Sequence, residues 1–361
     1  MPAAASPSSF HLADLGWDDA WSATLDSAAA VLGRGEGGPA RVARVDVGAA
    51  TLLSARGEGR ATVPPGVTVA VGDWVVAAAG VVAGALPRRT AIVRRAAGAG
   101  DRPQTLAANV DTVLVLVAAD GRVTPRSVER YVTLVWESGA VPVVVLTKTD
   151  LVAAQDVDAA VERLEPACVG VALHGVSAAT GAGLGSLAPC VGRGSTVALL
   201  GSSGAGKSTL ANRLTGAGLA TGPVRGDGRG RHTTTHRELV ALPGGGVLID
   251  TPGLREVGLW AAGAGDGVER TFPEITALLG RCRFTDCSHR SEPGCALRAA
   301  VDDGRVGPER LASWHKLRRE LDRLAARDDP ARAAQLRTEQ RRVFREYAQT
   351  RKQWDRTRKG R

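Results

Sequence analysis

The sequence predicts an α/β chain in three parts: an OB-type β-barrel, a domain with a mostly parallel sheet, and a small cysteine-bearing helical domain. Three observations predict it. Between residues 40 and 95, short β-like runs are broken by Gly and Pro turns. From residue 108, near-continuous apolar runs alternate with helical stretches. After about residue 261 the strand signals stop, and Cys282, Cys287 and Cys295 crowd beside His289.

Each part follows from local signals. Residues 1–39 read as an N-terminal extension, weakly structured, with Asp14-Leu15-Gly16-Trp17-Asp18 and a Gly-rich linker at 33–38. Residues 40–98 read as the barrel, with candidate strands at 41–47, 51–53, 61–63, 74–76 and 90–93. Gly57, Pro64-Pro65-Gly66, Gly72-Asp73 and Pro87 punctuate them. Residues 99–262 read as the parallel domain. The runs 112–118 and 141–146 suit strands buried on both faces, 170–176, 197–200 and 247–249 continue the pattern, and helices are expected at 126–138 and 156–164. Residues 263–325 read as a helical metal-binding domain with helices at 274–279 and 308–324, and residues 326–361 as a basic helical tail.

Bulk properties narrow the class. A chain of 361 residues suits two or three domains. Aromatics are scarce, so the cores must rest on Val, Leu and Ala. Residues 1–10 show neither a basic n-region nor an apolar h-region, and no run is long enough for a membrane helix. A soluble, cytoplasmic monomer with no membrane partner is expected. Five cysteines are too few for a disulfide-stapled secreted fold. The net charge is +9, and residues 305–361 hold roughly 18 Lys/Arg against about 8 Asp/Glu, which suggests a polyanionic partner.

The strongest motif is Gly201-Ser202-Ser203-Gly204-Ala205-Gly206-Lys207-Ser208-Thr209, a match to G-x-x-x-x-G-K-[ST] between a predicted strand and a predicted helix. Its glycines let backbone N–H groups curl around phosphate oxygens, and the helix N-terminus adds partial positive charge. Lys207 is expected to reach the β- and γ-phosphates, and the Ser208 hydroxyl to ligate Mg²⁺.

Two further segments choose GTP over ATP. Thr147-Lys148-Thr149-Asp150 ends a buried strand and is similar to N-K-x-D. Asp150 would accept hydrogen bonds from guanine N1–H and N2; adenine lacks those donors and would leave the carboxylate unpaired. Lys148 would lay its stem along the base. Ser177-Ala178 ends another strand, where backbone N–H groups could meet the base oxygen. Asp250-Thr251-Pro252-Gly253 follows an apolar strand: Asp250 would hold Mg²⁺ through a water, and the Gly253 N–H would approach the γ-phosphate.

These motifs run in circularly permuted order, base motifs before phosphate loop. Permutation is tolerated where termini lie at the surface. It also makes the chain after Gly253 lead straight into the C-terminal domain. The first switch is expected within Gly230-Arg231-His232-Thr233-Thr234-Thr235-His236, with Thr234 or Thr235 completing the Mg²⁺ shell. Leu254 stands where many GTPases carry a water-orienting Gln. Intrinsic hydrolysis should therefore be slow, and His232 is the candidate for positioning water. Cys282-x₄-Cys287-x-His289-x₅-Cys295 supplies three thiolates and one imidazole, the ligand set of a closed structural zinc site.

Together, Thr147–Asp150, the P-loop, Gly230–Thr235, Asp250–Gly253 with hydrophobic Leu254, the Cys/Cys/His/Cys set and Val71-Gly72-Asp73-Trp74-Val75 resemble the RsgA (YjeQ) family of circularly permuted bacterial GTPases. The resemblance covers roughly residues 40–325. It implies an OB–GTPase–zinc architecture, one structural Zn²⁺, Mg²⁺ with GTP, rRNA binding on the small ribosomal subunit, and subunit-stimulated GTP hydrolysis late in that subunit's maturation. Thr147 departs from the usual Asn. An alternative is an rRNA-binding assembly factor whose nucleotide site is regulatory and barely hydrolyses. A large-subunit factor fits the permuted order but not the barrel and zinc site. With Trp74 almost alone among barrel aromatics, binding through phosphates and shape is expected over base stacking.

Overall fold

A computed structural model describes residues 9–32, 37–95, 103–121, 124–216, 237–250 and 266–328. The N-terminal segment departs from expectation. Leu12–Leu15 forms a 3-10 turn and Asp19–Leu32 a helix, α1. Its anchors are aromatic and ionic. Trp17 meets Trp74 edge-on at 4.7 Å between centroids, and Trp21 lies 6.3 Å from Trp74. Arg89 grips Asp18 through both guanidinium nitrogens at 2.6 and 2.7 Å. Reading the composition as weakly structured missed this, because the partners of Trp17 and Trp21 lie far along the chain.

The barrel comprises β1 (Gly38–Asp46), β2 (Ala49–Ser54), β3 (Gly57–Thr62), β4 (Trp74–Ala78) and β5 (Val81–Ala85), closed in the order β1-β2-β3-β5-β4. Five strands enclose a narrow interior, so its filling is small: Ala40, Val42, Ala50, Leu52, Ala61, Val75 and Val82. One expectation is corrected here. The run at 90–93 is not a barrel strand. It belongs to β6 (Ala91–Arg95), which pairs antiparallel with β7 (Pro103–Ala108) in a separate two-stranded ribbon. The fifth barrel strand is β5, whose sequence Val81-Val82-Ala83-Gly84-Ala85 carries only weak strand signals.

The second domain is a six-stranded sheet built from β8 (Thr112–Ala118), β9 (Val141–Thr147), β10 (Ala172–Gly175), β11 (Thr196–Gly201), β12 (Glu238–Ala241) and β13 (Val247–Asp250). Its order is β10-β9-β8-β11-β13-β12, parallel except for β12 at one edge. From β8 the chain steps outward to β9 and β10, then returns to the other side of β8 as β11. That reversal between β8 and β11 is where open α/β sheets place ligands, beyond the carboxyl ends of the strands. The helices α2 (Pro125–Glu137), α3 (Ala154–Leu164) and α4 (Lys207–Thr215) connect or follow these strands. Thr124 caps α2 by accepting from the Ser127 N–H, and Pro125 opens its first turn.

The C-terminal domain contains α5 (Gly267–Thr271), α6 (Pro273–Thr276), α7 (Ala296–Asp302) and α8 (Pro308–Asp328), with no strand among its described residues. No helix of the described residues is long and apolar enough to cross a membrane. The expected basic helix beyond residue 328 lies outside the described residues.

Arg41 joins three of these parts. Only 1% exposed, it donates from Nε to the Gly72 carbonyl (2.8 Å), from Nη1 to the Leu15 carbonyl (2.5 Å), and from Nη2 to the Asn109 carbonyl and Thr196 Oγ1 (both 3.0 Å). Burial lowers its pKa to about 10, so the guanidinium stays charged at neutral pH. N-terminal segment, barrel and the start of β11 thus share one cation.

Candidate nucleotide and metal sites

The phosphate loop follows β11 and opens α4. Gly201 has φ 152, and a Cβ there would sit 2.5 Å from the Leu116 carbonyl oxygen, so β8 and β11 approach too closely for a side chain. Gly206 caps α4 with φ 87. Lys207 is buried and its Nζ donates to the carbonyls of Gly201 and Ser202, both at 2.7 Å, which folds the ammonium over the loop. Ser208 and Thr209 are exposed in the first turn of α4. Ser202, Ser203, Gly204 and Ala205 form the turn between strand and helix.

The base motifs stand at the same end of the sheet, beyond the carboxyl ends of its parallel strands. Thr147 ends β9, Lys148 adopts a left-handed conformation with φ 60, and Thr149–Leu151 makes a 3-10 turn that leaves Asp150 exposed. The next strand over, β10, is followed by Ser177, almost fully buried, and Ala178. Thr149 N–H reaches the Val176 carbonyl at 3.5 Å, which sets the two base loops side by side. The decisive contact is that of Thr147. Its buried hydroxyl donates to the Ala205 carbonyl of the phosphate loop at 2.8 Å, with the Val117 carbonyl at 3.3 Å as the weaker acceptor. Base loop and phosphate loop therefore meet, despite their reversed sequence order. Asp250 ends β13, two strands from β8 and adjacent to β11. His232, Thr234, Thr235, Gly253 and Leu254 lie outside the described residues.

The metal centre is local. Cys282 Sγ lies 3.4 Å from His289 Nδ1 and 4.0 Å from Cys295 Sγ, and Cys295 Sγ lies 3.6 Å from His289 Nδ1. All four ligand atoms, Cys287 included, fall within 4.8 Å of one another. A tetrahedral ion with metal–sulfur bonds of about 2.3 Å separates its ligands by roughly 3.5–3.8 Å, so the four donors fit one such ion. At Cys282, burial opposes ionisation, but the Ala296 N–H and the neighbouring thiols outweigh it and bring the thiol below its ordinary pKa. Burial also holds the His289 imidazole below its usual value, which keeps it neutral. His289 has φ 60, a left-handed conformation uncommon outside glycine. Glu292 supports that bend by accepting from the N–H groups of Ser288, Arg290 and Ser291.

The comparisons agree with this arrangement. The RsgA GTPase family model matches residues 85–260. The chain is 46% identical over 359 residues to the small ribosomal subunit biogenesis GTPase RsgA of Opitutus terrae, covering 92% of this chain and 96% of that one. The chain belongs to the RsgA GTPase family. Another RsgA GTPase, the small ribosomal subunit biogenesis GTPase RsgA of Streptomyces coelicolor, is 47% identical over 346 residues, 92% of each chain. Among solved structures, YjeQ from Thermotoga maritima superposes with a TM-score of 0.60 at 24% identity, covering 78% of this chain and 98% of that one. YloQ, titled a circularly permuted GTPase, gives 0.59 at 22%, covering 81% and 96%. These two show the shared fold. As a member of the RsgA GTPase family the chain is a GTP hydrolase, and its Cys/His cluster is consistent with a zinc site.

Sequence reasoning missed several supports of this RsgA-type site. Trp314 packs edge-on against His289 at 6.0 Å, and His315 Nε2 lies 3.2 Å from the His289 carbonyl oxygen. Adjacent Trp314-His315 on the helix expected at 308–324 was the available signal.

Proposed function

We propose that the chain hydrolyses GTP to GDP and phosphate as a step in late maturation of the small ribosomal subunit, in the cytoplasm, with the subunit and its rRNA as partner and stimulator. The observation that carries the nucleotide part is the bond from Thr147 to Ala205, which fastens the base loop to the phosphate loop at the carboxyl ends of the strands. The names of the relatives from Opitutus and Streptomyces support the ribosomal part.

In this reading the backbone N–H groups of residues 202–206 and the Lys207 ammonium cradle the β- and γ-phosphates. Asp150 accepts from the guanine edge, the Lys148 stem covers the base face, and backbone N–H groups at Ser177 and Ala178 meet the base oxygen. Ser208 and Asp250, with Thr234 or Thr235, hold Mg²⁺, which when bound neutralises charge developing on the phosphates. His232 orients water for attack on the γ-phosphorus as the bond to the β-phosphate oxygen breaks. Gly253 donates to the γ-phosphate. Leu254 offers no polar group to that water, so unassisted turnover is slow. Cys282, Cys287, His289 and Cys295 hold one zinc that fixes the C-terminal loops, which have few apolar residues of their own.

The test is the GTPase rate of the purified chain with and without small subunits. Stimulation of about a hundredfold or more is expected, on the scale of partner-supplied catalysis elsewhere. An unchanged, near-zero rate would favour a regulatory site on an rRNA-binding factor.

A further inference from the structure

One face of α2 carries a buried polar stripe that the nucleotide site does not use. Glu129, Thr133 and Glu137 recur every four residues and are at most 6% exposed. Each is met by the C-terminal domain. Arg310 Nη1, on α8, donates to Glu129 Oε1 at 3.0 Å, and the Ser313 hydroxyl donates to Glu129 Oε2. Thr133 Oγ1 lies 3.0 Å from Thr271 Oγ1 on α5. Glu137 Oε1 accepts from the Gly267 N–H at 2.9 Å, at the first residue of α5. A Cβ on Gly267 would lie 2.6 Å from Glu137 Cγ, so the two helices touch at backbone distance. Arg310 closes the set: its Nη2 donates to the Thr271 carbonyl at 2.7 Å, and its Nε bonds Glu274. Beside the stripe, Arg130 pairs with Glu320 through both guanidinium nitrogens.

Two consequences follow from the chemistry. An apolar seam tolerates sliding, but a seam of buried ions and hydroxyls does not. Any shift leaves Glu129 or Arg310 buried without its partner, which is strongly unfavourable. Docking is therefore close to all-or-none, the property of a switch element. The stripe also stands between two routes to the nucleotide. Through Gly139, α2 leads directly into β9, the strand that ends at Thr147 just before the turn carrying Asp150. Through Gly267, it holds α5, the first described helix after Asp250, the residue at the end of β13.

We propose that the Glu129–Thr133–Glu137 stripe is the joint that couples nucleotide state to the placement of the zinc-binding domain. The proposal rests on the GTP-binding reading above. Hydrogen exchange of the α5 and α8 amides, measured on the full zinc-loaded chain with GDP and with a non-hydrolysable GTP analogue, tests it. The native chain should show rates that differ between the two nucleotides by about tenfold in α5 and α8, the usual size of a coupling between sites. In Glu129→Gln that difference should collapse while GDP affinity and zinc content stay near native. Should Glu129→Gln fail to fold, Thr133→Val, an isosteric change, serves in its place and should shrink the difference. A native chain that binds both nucleotides with identical exchange patterns overturns the joint alone, as does a folded variant that keeps the full difference. A native chain that binds neither nucleotide overturns the GTP reading and the joint together.

Discussion

Asp150 and Thr147 divide the work of one loop. Thr147 points inward and ties the loop to Ala205; Asp150 remains exposed at the turn, where a purine edge can reach it. If Asp150 reads the guanine as proposed, removing its charge should relax selectivity without unfolding the loop. Asp150→Asn is expected to lower the preference for GDP over ADP by about tenfold or more, read by competition binding, with an unchanged melting temperature. At Gly201 the constraint is steric. Gly201→Ala forces a Cβ against the Leu116 carbonyl at a positive φ, and should cost about 1–3 kcal/mol of stability along with nucleotide affinity, measured by thermal melting and GDP titration. The strand–turn–helix around Gly201–Thr209 was legible in the sequence because such a turn demands glycines at fixed spacing between strand and helix. The Thr147 tie was not, since its acceptor lies 58 positions away and any backbone carbonyl could have filled that role.

Among the elements, buried apolar strands and their flanking helices were legible because burial on both faces writes itself as runs such as Thr112–Ala118. What stayed hidden depends on partners distant in sequence: α1, the exchange of β5 for the run at 90–93, the edge strand β12, and α7. Trp74, almost alone among the barrel aromatics, is fully buried against Trp17 and Trp21, so its ring offers no face for a base to stack on. Arg41 shows what such long-range contacts do. Arg41→Leu strands four acceptors on three parts of the molecule and should lower unfolding free energy by about 3 kcal/mol or more in denaturant titration. The Asp18–Arg89 clamp is half-exposed and worth well under about 1 kcal/mol. Hydrogen bonding from Arg89 lowers the Asp18 pKa, so its contribution is present at neutral pH and is lost as pH falls through that lowered value. The stability difference between the native chain and Asp18→Asn should accordingly vanish in strong acid.

For the molecule as a whole, the permuted order matters because it feeds the chain from Asp250 into the domain that holds the Cys/His cluster, while α2 meets that domain at Gly267, Thr271 and Arg310. Stripping metal with a chelator should melt the C-terminal domain at a lower temperature and leave GDP binding in place, since no ligand of the cluster lies in the sheet. Binding to small subunits should fall about tenfold or more when salt is doubled, if about four or more phosphates are engaged by the chain's excess of Lys and Arg. The three-part architecture was readable from composition and period, whereas the way the parts lock together was not, because interdomain contacts leave no periodic trace. The central claim, that one pocket grips phosphates at Gly201–Thr209 and identifies a guanine through Asp150, is tested most directly by calorimetric titration of the native chain with GDP and ADP. GDP should bind at least about a hundredfold more tightly than ADP; equal affinities would contradict it.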